Sequence, residues 1–341
     1  MKTEDFDYII PAELIAQHAP EKRDSVRMLV VDRKNGSYCD RHFYDITDYI
    51  NKEDIVVLND SKVIPARIYG HKELTGAKIE FLLHKRYSQN RWEVMARPGK
   101  RLKPGTKVIF SDKLSAVVLE KKEDGLLDVR FEFEGNFFAI LSEIGQMPLP
   151  PYIKEKLKDN TSYNTVYASV EGSSAAPTAG LHFTRELLDK LEQKGVKLVY
   201  VTLHVGLGTF LPVDKDNIEE HTMHTEYYEI SQNAADIINE TKKNGGRVFC
   251  IGTTTVRTLE SSAKFNGGTV TPECRNTDIF IYPGFEFKVT DCLLTNFHLP
   301  KSTLLMLVSA FYTREKMLEI YNYAVGEKYK FFSFGDSMLI L

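Results

Sequence analysis

Within residues 66–134, apolar and polar side chains alternate in short runs, a pattern that gives a β-strand one buried face and a helix none. The runs fall at 78–83, 92–97, 107–110, 115–119 and 127–131, with turn signals at Pro98-Gly99, Pro104-Gly105 and Asp124-Gly125 between them. Strands this short, at spacing this regular, predict a small antiparallel β-barrel. A short helix over 137–144 closes it, and Pro148, Pro150 and Pro151 mark the way out.

On either side of this segment the pattern changes class. Strands are expected at 27–32, 55–58, 198–203, 227–230, 247–251, 279–282, 292–295 and 337–341. Helices are expected at 185–194, 234–243, 256–264, 303–312 and 315–325, with Thr184, Ser231 and Ser302 as caps and Gly195 and Gly245 as stops. Strands alternating with helices read as an α/β core with a mixed, largely parallel sheet. The expected organisation is a discontinuous core, residues 1–65 and 152–341, with the barrel inserted at 66–151. A chain of 341 residues is long enough for both.

The N-terminus is acidic and no apolar signal segment follows it. The most apolar run, 304–311, is too short to span a bilayer. Cys39, Cys250, Cys274 and Cys292 are scattered and form no Cys-x-x-Cys pair. This usage fits a reducing cytoplasm and leaves no zinc knuckle or disulfide framework. The net charge of −3 conceals a segregation. From Arg67 to Lys107 there are eleven Lys/Arg and three acidic residues, a balance of +8, so the remainder carries −11. A basic module on an acidic body is what a local polyanion-binding surface requires. Solvated outward faces of strands would produce the same count.

The run Gly172-Ser173-Ser174-Ala175-Ala176-Pro177-Thr178-Ala179-Gly180-Leu181-His182-Phe183-Thr184 neither fills a core nor solvates a surface well. Small side chains let backbone approach a ligand closely, and an imidazole and a helix start follow at once. A flexible loop is the alternative reading. Four expected strands run into polar residues at their carboxyl ends. These are Asn59-Asp60, His204 with Gly206-Leu207-Gly208-Thr209, Gly252-Thr253-Thr254-Thr255 with Arg257, and Asn296 with His298. In open α/β sheets the ligand crevice lies outside those ends, although Thr, Asn and Asp also serve simply as caps.

The pair His221/His224 invites a metal reading. On a strand, however, the two rings point to opposite faces while His224 and Glu226 share one, so a His–Glu pair is expected and no metal site. The chain has no Gly-x-Gly-x-x-Gly dinucleotide fingerprint, no phosphate-binding Walker loop and no nucleophile elbow. Nucleotide hydrolysis and serine-esterase chemistry lose support accordingly.

The whole chain resembles the S-adenosylmethionine:tRNA ribosyltransferase-isomerases of queuosine biosynthesis. The resemblance rests on the 172–184 run, Leu203-His204-Val205-Gly206-Leu207-Gly208-Thr209-Phe210, His221-Thr222-Met223-His224, and Gly252-Thr253-Thr254-Thr255-Val256-Arg257-Thr258-Leu259-Glu260. It extends to Leu294-Thr295-Asn296-Phe297-His298-Leu299-Pro300-Lys301-Ser302-Thr303-Leu304, to residues 58–67 and to Phe331-Phe332-Ser333-Phe334-Gly335-Asp336. Departures are Ser174 in place of valine, Ser61-Lys62 in place of Thr-Arg, and Phe334 in place of Tyr. The resemblance implies an α/β core with an inserted barrel. It also implies transfer and isomerisation of the ribosyl unit of S-adenosylmethionine, a co-substrate, onto 7-aminomethyl-7-deazaguanine at the tRNA wobble position. The product would be epoxyqueuosine-tRNA, with adenine and methionine leaving.

That chemistry needs a base for the acidified C5′ proton and a donor for departing adenine, roles that imidazoles suit near neutrality. His204 and His298 are the first candidates, with His182 and Asp60 behind them. Ser173, Ser174, Thr178 and Gly180 would wrap the adenosyl moiety. Thr253, Thr254 and Arg257 suit the methionine carboxylate. Asn59, Gly206 and Asn296 complete the strand-end set. Arg97, Lys100, Arg101 and Lys103 would hold the tRNA anticodon arm. The expectation is a cytoplasmic monomer with no tightly bound cofactor. A conventional S-adenosylmethionine-dependent methyltransferase and a non-catalytic RNA-binding protein are the alternatives.

Overall fold

The computed structural model describes all residues except Asp124, Lys156, Lys158, 207–212 and Asp214. The chain divides into two compact units. One is Met1–Ser61 with Pro151–Val170 and Ala176–Leu341; the other is Lys62–Pro150 with Glu171–Ala175. The first four residues of the Gly/Ser/Ala-rich run therefore belong to a different unit from the rest of it.

The larger unit is built on a nine-stranded sheet. Its strand order is Glu273–Thr277, Glu226–Ile230, Lys197–His204, Ile55–Asn59, Val248–Ile251, Cys292–Asn296, Ser337–Ile340, Arg27–Asp32 and Ser37–His42. The four strands from Lys197–His204 to Cys292–Asn296 run parallel, and Ser337–Ile340 is parallel to Arg27–Asp32. The remaining pairs are antiparallel, so the sheet is mixed with a parallel centre. Ile55–Asn59, Val248–Ile251 and Cys292–Asn296 are buried at every position, as strands covered on both faces must be.

The helices start where side-chain caps are available. Thr184, Ser231 and Ser302 each accept the backbone N–H three residues on, at 3.2 Å in every case. Helix Arg185–Gln193 buries Leu187, Leu188 and Leu191 in one core with Val56, Leu58, Phe249, Ile251, Leu294 and Leu339. Helix Thr253–Phe265 begins three residues earlier than periodicity indicates. Its N-cap is Gly252, at φ +86°, a conformation costly for any residue with a Cβ. Residues 253–263 are all buried, so this helix has no polar stripe to mark its start.

Two strands of the sheet carry no apolar alternation. Ser37–His42 and Glu273–Thr277 are polar, mostly exposed edges held by antiparallel pairing to apolar neighbours. The strand expected at 279–282 is not formed. Thr277 Oγ1 accepts the Ile279 N–H at 3.1 Å and turns the chain, so Ile279 and Ile281 are buried without a ladder.

The smaller unit contains a closed antiparallel barrel in the order Leu127–Phe133, Arg91–Arg97, Lys78–Arg86, Arg67–Lys72, Lys107–Ser111 and Leu114–Lys121. Alternation fills its interior, with Phe81, Trp92, Val94, Val129 and Phe131 fully buried. Helix Phe137–Ile144, capped by Asn136, sets Phe137 against Trp92 and Phe131 at 5.6 and 5.1 Å between ring centres. Of the turn at Asp124-Gly125, only Gly125 lies among the described residues.

Candidate active site

The carboxyl ends of the central parallel strands open onto a cleft in the larger unit. After Val248–Ile251 come Gly252, Thr253 and Thr254; Cys292–Asn296 supplies Thr295 and Asn296 and then Phe297 and His298; Val205 follows Lys197–His204. Ala176 to Ala179 form another wall, and Tyr152, Phe332 and Ser333 a third. The chain of Phe332 sits at φ +70°, rare for an aromatic residue, and its N–H donates to the Phe297 carbonyl at 3.2 Å. The Tyr152 and Ser333 hydroxyls share a hydrogen bond of 2.7 Å.

Two helices begin at this cleft, Thr253–Phe265 and Thr303–Phe311. The first has no side-chain cap, so its leading N–H groups face the cleft end uncommitted to a capping oxygen. Beside them, Thr254 Oγ1 and Arg257 Nη2 are buried without a partner among the described residues. Buried donors of this kind cost stability unless a ligand completes them. Burial pulls the Arg257 guanidinium down to about 10, which leaves it a cation at neutral pH.

Thr178, Thr253, Thr254, Arg257, Asn296 and His298 thus meet at one cleft. His182 stands behind it. Its Nε2 faces Asn296 Nδ2 at 3.1 Å, while Asn296 Oδ1 accepts the Thr178 hydroxyl at 3.0 Å. Since the amide nitrogen can only donate, His182 Nε2 accepts, and the ring proton lies on Nδ1. His298 Nε2 shares a 2.9 Å bond with Thr295 Oγ1, and its backbone is pinned by the Tyr8 and Tyr321 hydroxyls.

The other expected residues are not in the cleft lining. His204 stacks on Tyr227 at 6.0 Å, and its Nδ1 is buried without a partner among the described residues. The Asn59 side chain is spent on backbone, donating to Leu203 O and accepting Leu203 N–H and Ser61 N–H. Asp60 accepts the Thr202 and Ser169 hydroxyls at 2.7 and 3.0 Å. Gly206 donates to Glu226 at 3.3 Å; Leu207, Gly208 and Thr209 lie outside the described residues. In the smaller unit the Ser173 and Ser174 hydroxyls donate to Ala175 O and Leu83 O and are buried there.

Gly180 is a packing requirement. A Cβ there would lie 2.0 Å from the hydroxyl of buried Tyr167 and 3.0 Å from Thr165. Gly180→Ala is expected to cost about 1–3 kcal/mol of stability, measured by denaturant unfolding, as overpacked cores do. A cost under a few tenths would mean that Tyr167 moves aside freely.

The expected His224–Glu226 pair is replaced by another. Glu226 opens its strand, His221 and His224 precede it on irregular backbone, and the carboxylate takes Arg257 Nη1 in a buried ion pair. No group of three metal-ligating side chains occurs among the described residues.

Burial drives all three site imidazoles down, His182 and His204 to about 4 and His298 to about 3, the last aided by the Arg257 charge. They are therefore neutral at pH 7. As pH falls below about 6.5 the unfolded chain binds protons that the folded chain refuses. Stability should therefore be complete above about pH 6.5 and fall by about 1.4 kcal/mol per pH unit per ring below it. The loss should end as the folded rings titrate, near 4 and 3. Unfolding free energies measured across this range test it, and a flat profile to about pH 5 would show the rings to be solvated.

In the smaller unit Arg97, Lys100, Arg101 and Lys103 are all exposed, and none has a carboxylate partner among the described residues. Other barrel cations are already matched: Arg67 by Glu80, Arg91 by Asp128, Lys107 by Glu132 and Lys122 by Glu93.

The queuosine biosynthesis protein family matches residues 3–340. The chain belongs to that family. It is 56% identical over 341 residues, the full length of both chains, to the S-adenosylmethionine:tRNA ribosyltransferase-isomerase of Acetivibrio thermocellus. The crystal structure of S-adenosylmethionine tRNA ribosyltransferase from Thermotoga maritima is 40% identical. The match covers 99% of this chain and 100% of that one, at a TM-score of 0.56. The family resemblance read from the motifs and the mixed-sheet-plus-barrel architecture both hold. Among the described residues no helix is long and apolar enough to cross a membrane.

Tyr152 and Thr295 line the cleft without having been expected there, and Glu226, expected to pair with His224, pairs with Arg257 instead. Thr295 was legible as the strand residue before Asn296. For Tyr152 no local pattern distinguishes the side chain from an ordinary surface residue, and for Glu226 none indicates Arg257 as the partner.

Proposed function

We infer that this chain is an S-adenosylmethionine:tRNA ribosyltransferase-isomerase of queuosine biosynthesis. Its acceptor is 7-aminomethyl-7-deazaguanine at the tRNA wobble position, and its products are epoxyqueuosine-tRNA, adenine and methionine. The observation that carries the reading is the polar end of the cleft, where two helix N-termini meet the unpartnered Thr254 hydroxyl and Arg257 Nη2. Helix N-termini and a guanidinium favour a carboxylate. The cleft has about 60 Å³ of accessible space and is open to solvent. The methionyl carboxylate sits beside Thr254 and Arg257, and the adenosyl group against Ala176 to Ala179 and the Tyr152/Phe332 wall.

Of the three candidate imidazoles, His298 is the one in the cleft lining. Kept neutral by burial, it accepts the C5′ proton that the adjacent sulfonium acidifies. The Thr295 hydroxyl fixes its ring. His182 acts through Asn296, whose amide it orients. His204 and Asp60 lie outside the cleft lining, and no step is assigned to them. The larger unit is the discontinuous catalytic domain, and the smaller, inserted unit grips the anticodon arm through Arg97, Lys100, Arg101 and Lys103. The enzyme works in the cytoplasm as a monomer, without a metal or a tightly bound cofactor.

Incubation with S-adenosylmethionine and tRNA carrying the aminomethyl precursor should release adenine and methionine in equal amounts. Release of S-adenosylhomocysteine would indicate a methyltransferase. Binding without turnover would indicate an RNA-binding protein.

A further inference from the structure

Arg257 lines the strand-end cleft and also a small cavity beside it, shared with Glu226, Gly206, His224 and Thr303. Arg257 and Glu226 are 3% and 5% exposed. One oxygen of Glu226 takes Arg257 Nη1, and the other accepts the Gly206 N–H at 3.3 Å. Arg257 Nε donates to the Thr253 carbonyl at 3.4 Å. The guanidinium is thus clamped along two of its nitrogens, and Nη2 alone has no partner among the described residues. A buried pair that served only the fold would be expected to satisfy every donor, since apolar replacements are often equally stable. This pair leaves the Nη2 amino group over, at the end of the cleft where two helices begin.

We propose that Glu226 is a positioning residue for the ribosyl-transfer reaction, holding Arg257 so that its Nη2 edge meets the methionyl carboxylate. It thereby sets the preference for a sulfonium co-substrate that carries a free carboxylate. The proposal rests on the reading that Arg257 takes that carboxylate. A planar guanidinium recognises a carboxylate by the direction of its N–H groups, so a swing of the fork loses the contact even though the charge remains. Glu226 also cancels the Arg257 charge within the protein. The empty subsite then favours the dipolar carboxylate–ammonium end of an amino acid over a simple anion.

The test compares kcat/KM for S-adenosylmethionine with that for decarboxylated S-adenosylmethionine, which keeps sulfonium and ammonium but lacks the carboxylate. Both are measured with precursor tRNA by adenine release. The unmodified enzyme should prefer the carboxylated form by ~100-fold, a buried charged contact's share of specificity. Glu226→Gln should reduce that preference at least ~10-fold and raise KM more than it lowers kcat. Arg257→Met should abolish the preference. In the Arg257→Met background Glu226→Gln should have no further effect, because Glu226 acts through Arg257. If Glu226→Gln alone proves too unstable to assay, Glu226→Asp, which keeps the charge but withdraws it, takes its place both alone and in the Arg257→Met background. An unchanged preference in the Glu226 variants, with loss only in Arg257→Met, overturns the proposal. So do effects that multiply in the double variant. An Arg257→Met enzyme that keeps its preference would instead overturn the carboxylate assignment itself.

Discussion

Reversing the charge at Arg97, Lys100, Arg101 and Lys103 together is expected to weaken tRNA binding by ~1,000-fold or more at moderate salt, and to reduce the salt slope by about 3 to 4. The four are exposed and lack carboxylate partners among the described residues, so their charge is available to phosphate. Neutralising phosphates releases condensed counterions, and this supplies both the affinity and its salt dependence. The matched cations of the same barrel form an internal control. Changing Arg91, already held by Asp128 with a bond of 2.6 Å, should cost far less tRNA affinity. S-adenosylmethionine binding by the larger unit should change little, as equilibrium dialysis would measure. If tRNA affinity survives all four reversals, the grip lies elsewhere, with the 154–158 segment next to be tested. Of that segment, Lys156 and Lys158 lie outside the described residues.

His298→Ala is expected to lower turnover by ~100-fold or more while the protein still unfolds cooperatively, since positioned general bases contribute ~100- to 10,000-fold. Its imidazole lies in the cleft wall, is held neutral and is oriented by Thr295. The backbone contacts of residue 298 to Tyr8 and Tyr321 involve main-chain atoms that alanine keeps. His182→Ala should lower turnover less, because its ring reaches the cleft only through the Asn296 amide. Single-turnover adenine release separates the two. A loss below about threefold for His298→Ala would make that residue part of the packing, not of the chemistry.

The repeating features of this protein are legible in the order of its residues. A two-residue period marked the barrel strands, and Thr184, Ser231 and Ser302 marked helix starts, because burial on one face and the need to cap N–H groups are both local. Long motifs identified the family for the same reason: each is a contiguous string. Tertiary structure alone decided what lacks a local signature. The polar edges Ser37–His42 and Glu273–Thr277 are strands because apolar neighbours offer them a ladder. Ile279 and Ile281 look like a strand but are turned out of the sheet by one threonine hydroxyl. Gly180, set in a run that suggested ligand contact, is glycine because Tyr167, thirteen positions earlier, fills its Cβ space. Asn59, polar at a strand end like Asn296, is consumed by the neighbouring strand, while Asn296 lines the cleft. Arg257 is half of a pair whose other half is 31 residues away, and which of its nitrogens stays free follows from where Glu226 lands. Hydrogen-bond partners and steric limits at a site are set by distances between segments far apart in the chain, and the order of residues along one segment carries no record of them.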